Sequence, residues 1–122
     1  MKKILGAALL FVLLGVCIGG GKLLIKTHRV NEAIESLTDV YELEQAHRAM
    51  FGVYTDNIYA IIFIQDTLVI NGGKAYYRVM LEEATDSTFR ASAISVVDFD
   101  GDSQFNKWVV NETGKIEEII QD

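Results

Sequence analysis

Apolar residues follow three different patterns along the chain. Residues 4–21 form an unbroken run of 18 positions without a charge. Residues 22–51 place apolar side chains at steps of three and four, the spacing of one helix face. This stripe comprises Val30, Ala33, Leu37, Val40, Leu43, Ala46 and Met50. Beyond residue 75 apolar and polar positions alternate, which is typical of half-buried strands. The sequence therefore predicts helix first and sheet afterwards.

The uncharged run has three interpretations. Its length approaches the roughly 20 residues that cross a ~30 Å hydrocarbon layer as a helix. The basic start at Lys2 and Lys3 also suits a cleaved secretory signal, with residues 19–21 as its small-residue site. A lipoprotein signal would use Cys17, although Val16 before it is a poor match for such cleavage. An uncleaved anchor is favoured, because the periodic helix follows at once without Gly or Pro.

We therefore expect residues 1–25 to form an apolar membrane and assembly helix, and residues 26–122 to form one globular domain. The domain is predicted to hold an amphipathic helix at about 26–52 and a sheet at about 58–120. Small residues in the run would let another helix approach closely; they are Gly6, Gly15, Gly19, Gly20 and Gly21. The glycine triplet is the expected weak point, since each glycine costs a helix about 1 kcal/mol relative to alanine.

The sheet is predicted from turn signals and alternation. Gly52 is expected to end the helix. Residues 58–64 are apolar enough for a buried strand, with a short helix as the alternative. Further along, we expect a turn at 71–73, strands near 77–81 and 89–97, a strand at 106–110, and a hairpin at 111–114 into a last strand. Such short connections favour an antiparallel meander. The predicted class is α+β, a long N-terminal helix packed on a small antiparallel β-meander.

Individual side chains take their expected places from these patterns. Phe51, Tyr77, Phe89 and Trp108 stand on the apolar phase of their elements and are expected in the helix-on-sheet core. Glu44 and Arg48, one turn apart on the helix, are expected to form an exposed pair.

Charge is unevenly distributed. All 17 acidic residues lie at or beyond Glu32, and from Lys22 onward they face nine basic residues, a net charge of −8. Such a domain repels phosphate backbones, so nucleic acid is not an expected partner. Cys17 is the single cysteine, which excludes a disulfide within the chain.

One cluster of residues suggests metal chemistry. Asp98, Asp100 and Asp102 alternate around Gly101, and oxygen ligands at every second position are what calcium requires. The spacing is not that of an EF-hand, and a solvated acidic turn is the alternative. No serine has a nucleophile-elbow context, and the two histidines lack partners at metal-ligand spacing. We therefore expect neither an enzyme nor any cofactor other than calcium.

The order of these features resembles the type IV pilin and pilin-like family, in which a long apolar and then amphipathic helix lies against a small antiparallel sheet. Residues 46–55, AHRAMFGVYT, are similar to the passage in which an aromatic-Gly-x-Tyr-Thr sequence closes the family's helix. The strings at 77–81, 89–93, 98–102 and 107–114 resemble the sheet of many short pilins. The family's processing site, a Gly-Phe-Thr-Leu-Ile-Glu-like sequence, is missing here, as is an acidic residue within the apolar run.

The resemblance implies a structural subunit of a type IV pilus-like surface filament. Its partners would be further copies of itself, membrane lipid before assembly, and pilus assembly machinery. The protein would be anchored in the inner membrane with its domain outside the cytoplasm, and then join an extracellular filament. The alternative is a monomeric, membrane-tethered periplasmic domain, of signal-anchor or lipoprotein type, that binds a partner.

Overall fold

The computed structural model describes residues 21–121, with side chains from His28 onward. A helix, α1, covers Gly21–Phe51, and a 3-10 turn covers Val69–Asn71. Four strands follow: β1 Tyr77–Ala84, β2 Phe89–Ser95, β3 Lys107–Asn111 and β4 Ile116–Ile120. No helix within the described residues combines the length and apolarity that crossing a membrane requires. Residues 1–20 of the predicted apolar helix, with Gly6, Gly15, Gly19 and Gly20, lie outside them, whereas Gly21 is the first residue of α1.

The chain divides into two units, Met1–Glu32 and Ala33–Asp122. Within the second unit, one face of α1 packs on the sheet. Ala33, Leu37 and Val40 of that face are completely buried, in one cluster with Tyr77 of β1 and Phe89 of β2. The predicted α+β class, a helix on an antiparallel sheet, is confirmed in this unit.

The strands pair antiparallel in the order β1-β2-β3-β4, so the predicted meander is also confirmed. Alternation decides which side chains face α1. Tyr77 and Val79 of β1 are buried towards it, whereas Arg78 and Met80 point to the other, outer face. Because α1 packs on the inner face, the outer face has no covering layer among the described elements.

The open edge of β1 is occupied by a side chain. The Gln65 amide donates to the Tyr77 carbonyl at 3.1 Å and accepts from the Val79 N–H at 2.9 Å. These two bonds imitate one residue of a pairing strand. Gln65 thereby fixes the segment that precedes β1 beside the sheet.

The predicted strand at 58–64 is wrong. The segment is a series of turns, closed by hydrogen bonds such as Ala60 N–H to the Asn57 carbonyl at 2.9 Å. Ile61 alone is buried there, at 4% exposure, while Ile62 and Ile64 project outwards. Its apolar composition therefore does not reflect burial on two faces, as the strand interpretation required.

The apolar stripe of α1 also departs from the prediction in its last turns. Ala46 is exposed, and Met50 and Phe51 are 78% and 65% exposed. The buried position is instead Glu44, eleven residues after Ala33, which is close to three turns at 3.6 residues each. The predicted stripe continued from Val40 in steps of three residues to Leu43 and Ala46. Each such step is shorter than a full turn of 3.6 residues, so the stripe rotates away from the buried face.

Two predictions about side chains change accordingly. Phe51 is not a core residue, and Glu44 is not half of an exposed pair with Arg48. Tyr77 and Phe89 are in the core as predicted, and Trp108 is half-buried and packs against it.

Candidate functional site

The predicted metal-binding residues do come together. Asp98, Asp100 and Asp102 lie in the connection between β2 and β3, and each offers a carboxylate oxygen within 4.8 Å of the others. Gly101 has a φ of +76°, a left-handed conformation that glycine adopts at low cost. It bends the loop so that the carboxylates meet.

The loop's own amides bind these carboxylates. Asp98 accepts hydrogen bonds from the N–H groups of Gly101 at 3.0 Å and Ser103 at 2.6 Å. Desolvation acts to raise the pKa of Asp98, but these bonds outweigh it, and the pKa lies below its ordinary value. The oxygen set suits a hard cation such as calcium. However, the backbone N–H groups already supply part of the positive field that the cation would bring.

The segment 58–64, called here the apolar loop, is the most exposed apolar feature among the described residues. Tyr59, Ile62 and Ile64 are 85%, 76% and 80% exposed. Ile61 anchors the loop in the core. Ile62 has a φ of +59°, a conformation that is a genuine outlier for a β-branched residue. The loop therefore holds a large apolar side chain outwards, in a conformation with a steric cost.

A groove of about 300 Å³ lies on the outer face of the sheet. We call it the outer groove; it is lined by Ile70, Arg78, Met80, Ile94, Ser95, Val96 and Phe105. Three of its apolar side chains are about half exposed: Ile70, Met80 and Phe105. Apolar walls with a single cation are the composition of a binding surface.

Beside this groove the outer face is polar. Glu82 bridges Arg90 at 2.8 Å and Lys107 at 2.9 Å. Desolvation acts to raise the pKa of Glu82, but the two cations and their hydrogen bonds outweigh it and lower the pKa. A second depression, of about 370 Å³, has mainly polar walls that include Lys115 and Glu117. The outer groove is thus the apolar part of this face.

The end of α1 holds a buried carboxylate. One oxygen of Glu44 accepts the Thr55 N–H at 3.0 Å, and the other has no hydrogen-bond partner among the described groups. Gln45 donates to the Tyr54 hydroxyl at 3.0 Å, and His47 Nδ1 lies 2.8 Å from the Val53 carbonyl. Polar side chains of the helix therefore fix the chain where it turns away at Gly52.

Sequence reasoning identified one of these features and missed three. The aspartates were found because their spacing alone brings them together. The apolar loop, the outer groove and Glu44 were missed, because each depends on which neighbours the fold supplies. The apolar residues at 62 and 64 were a signal for the loop. The segment 58–64 contains more apolar residues than one buried strand face can hold, and this is visible in the sequence.

Comparison with known proteins adds no assignment. No protein-family model matches the sequence, and no curated protein matches it. The resemblance to pilins therefore stays a prediction from the sequence.

Proposed function

We propose that the protein is a structural subunit of a type IV pilus-like surface filament, assembling through its apolar N-terminal helix. The observation that carries the proposal is the order of the structural elements along the chain. An uncharged run in the sequence leads into a helix whose middle turns, at Ala33, Leu37 and Val40, pack on a four-stranded antiparallel meander. This is the order of parts in the pilin-like family that the sequence resembles.

The apolar run needs partners in this proposal. Outside lipid, 18 uncharged residues would expose far more apolar surface than a soluble monomer tolerates. Copies of the same helix would cover it, and Gly6, Gly15 and Gly19 would allow the close approach that such packing uses.

Charge would set the register between copies. The run contains no acidic residue, so the pairing of a helix carboxylate with a neighbour's amino terminus is not available. Lys22, Lys26 and Arg29 form a basic collar just after the run. Contacts between this collar and the acidic domains of neighbouring copies would weaken at high salt.

Two measurements test the proposal. Electron microscopy of material sheared from the cell surface should show filaments that contain this chain. The intact mass of the protein in those filaments should include residues 1–21. Loss of these residues from the envelope-bound protein would contradict assembly through the apolar helix.

A pair of double substitutions tests the close packing. Gly15→Leu with Gly19→Leu should abolish filaments, because two leucines would hold neighbouring helices apart. Val12→Leu with Val16→Leu, in the same run, should leave filaments intact, since it changes apolar bulk without touching the small residues. Normal filaments from the glycine variant would show that packing there does not hold the copies together.

One observation favours a second function. The absence of the processing sequence and of an acidic residue in the run suits a membrane-tethered periplasmic domain that acts as a monomer and binds a partner. In that case the chain stays in the membrane fraction, and shearing releases no filaments.

A further inference from the structure

We infer that the apolar loop of one copy docks into the outer groove of a second copy. This deepens the proposed filament function, on which it rests, by naming a contact between the domains themselves. The two surfaces lie on the same chain, so every copy carries both halves of the contact.

The apolar loop is built as a rigid projection. Its turns are fixed by hydrogen bonds from Ile62 N–H to the Tyr59 carbonyl at 3.2 Å and from Tyr59 N–H to the Asn57 side chain at 3.0 Å. Ile61 anchors it from below. A preorganised loop loses little conformational freedom when it binds. The outlying backbone of Ile62 points to function, because such conformations concentrate at binding sites.

The outer groove suits this occupant in size and composition. Its volume of about 300 Å³ equals that of roughly ten water molecules, enough for branched side chains such as Ile62 and Ile64. Met80, Ile94 and Phe105 supply apolar walls. Docking would remove apolar surface from water on both copies.

The charges beside the two surfaces are complementary, which favours a second copy as the partner. Two copies that each carry a net charge of −8 from Lys22 onward repel one another, so their contact needs a local match. Arg78 in the groove forms no ion pair with any residue from 28 to 121. Asp56 and Asp66 flank the apolar loop and are exposed, and neither forms an ion pair in the same range. Docking would bring these carboxylates to the guanidinium group.

The contact is head-to-tail. Because loop and groove are different surfaces, each docked pair leaves one loop and one groove unused. Such heterologous contacts continue from copy to copy instead of closing into a two-fold dimer. The geometry therefore suits a repeating assembly.

Disulfide trapping in membranes tests the contact with the full chain. In a Cys17→Ser background, one copy carries Ile62→Cys and a second, longer tagged copy carries Met80→Cys. Oxidation of the mixed population should give the mixed dimer in large excess over either like pair. The control replaces Ile62→Cys by Ser87→Cys, at an exposed turn outside both surfaces, and should give little mixed dimer. Equal yields from the two mixtures would overturn the inference.

Charge-reversal variants test the role of Arg78 in the same disulfide-trapping assay. Arg78→Glu on the Met80→Cys copy should lower the mixed-dimer yield several-fold. Asp56→Lys with Asp66→Lys on the other copy should restore it. No change with Arg78→Glu would overturn the role of charge, and thermal melts would confirm that each variant is folded.

The outcome separates this inference from the proposed function. Filaments without the mixed dimer would overturn the docking and leave the filament function standing. Mixed dimers in the membranes of cells that make no filaments would support the docking and contradict the filament.

Discussion

The Glu44 carboxylate accepts a hydrogen bond from the Thr55 N–H at 3.0 Å. This bond joins the last turns of α1 to the segment that follows Gly52, so a helix side chain satisfies a backbone donor outside the helix. Glu44 is completely buried. A buried carboxylate is costly unless its partners compensate, and here one oxygen has none among the described groups.

Glu44→Ala should destabilise the protein, because it removes the acceptor of the Thr55 N–H and leaves a cavity. The expected loss is about 1–3 kcal/mol for the unsatisfied donor alone. Glu44→Gln keeps an acceptor of the same shape and should lose much less. Chemical denaturation of both variants measures the difference, and equal losses would show that the bond to Thr55 contributes nothing.

The same carboxyl group predicts a pH dependence. Burial raises the pKa of Glu44 above its ordinary value of 4.5, Asp56 adds to this, and the Thr55 bond and His47 oppose it. Its contribution to stability is therefore fully present below pH 4.5 and is lost as the pH rises through the folded-state pKa. Glutamine cannot titrate. The stability difference between wild type and Glu44→Gln should thus shift against wild type as pH rises; a constant difference would contradict the raised pKa.

Two phenylalanines should respond in opposite ways to truncation. Phe89 is 2% exposed in the core, so Phe89→Ala should cost about 3–5 kcal/mol. Phe51 is 65% exposed, and Phe51→Ala should stay within about 1 kcal/mol, typical of surface changes. Urea denaturation compares the two. A large loss at Phe51 would mean that the end of α1 is buried.

Ile62→Gly should stabilise the isolated protein. A left-handed conformation costs a branched residue roughly 1–2 kcal/mol, and glycine relieves that cost at the expense of about 0.5–1 kcal/mol of chain entropy. The control, Ile62→Val, keeps the β-branch and the strain and should change little. A lower unfolding midpoint for the glycine variant would show that the side chain packs against its own domain.

Calcium should raise the unfolding midpoint through Asp98, Asp100 and Asp102. Saturation at a hundredfold excess over the dissociation constant is worth about 2.7 kcal/mol. Asp100→Asn should reduce the shift, whereas Asp86→Asn, an equal charge change at an exposed turn between β1 and β2, should not. Identical midpoints with calcium and with chelator would leave only a loop closed by its own amides.

The sheet could be predicted because its signals are local. Alternation at Tyr77 and Val79 and the tight hairpin ending at Gly114 specify strands, turns and neighbours without knowledge of the rest of the fold. The aspartates of the metal loop are likewise close in sequence. Local spacing alone was enough to place them together.

The features that were missed depend on distant neighbours. Glu44 is polar and looked solvated, and only the return of the chain at Thr55 gives its buried oxygen a donor. Ile62 looked like part of a strand, although the path from α1 to β1 allows only Ile61 among its close neighbours to be buried. The outer groove combines β1 and β2 with residues 70 and 105, a combination that no sequence pattern contains.

The two hydrogen bonds of Gln65 also bear on aggregation through the edge of the sheet. An open strand edge is a template on which other chains form amyloid-like stacks. The Gln65 amide occupies one acceptor and one donor of β1, the Tyr77 carbonyl and the Val79 N–H, that an incoming strand would use. An incoming strand would therefore have to displace Gln65 before it could pair with β1 at these two positions.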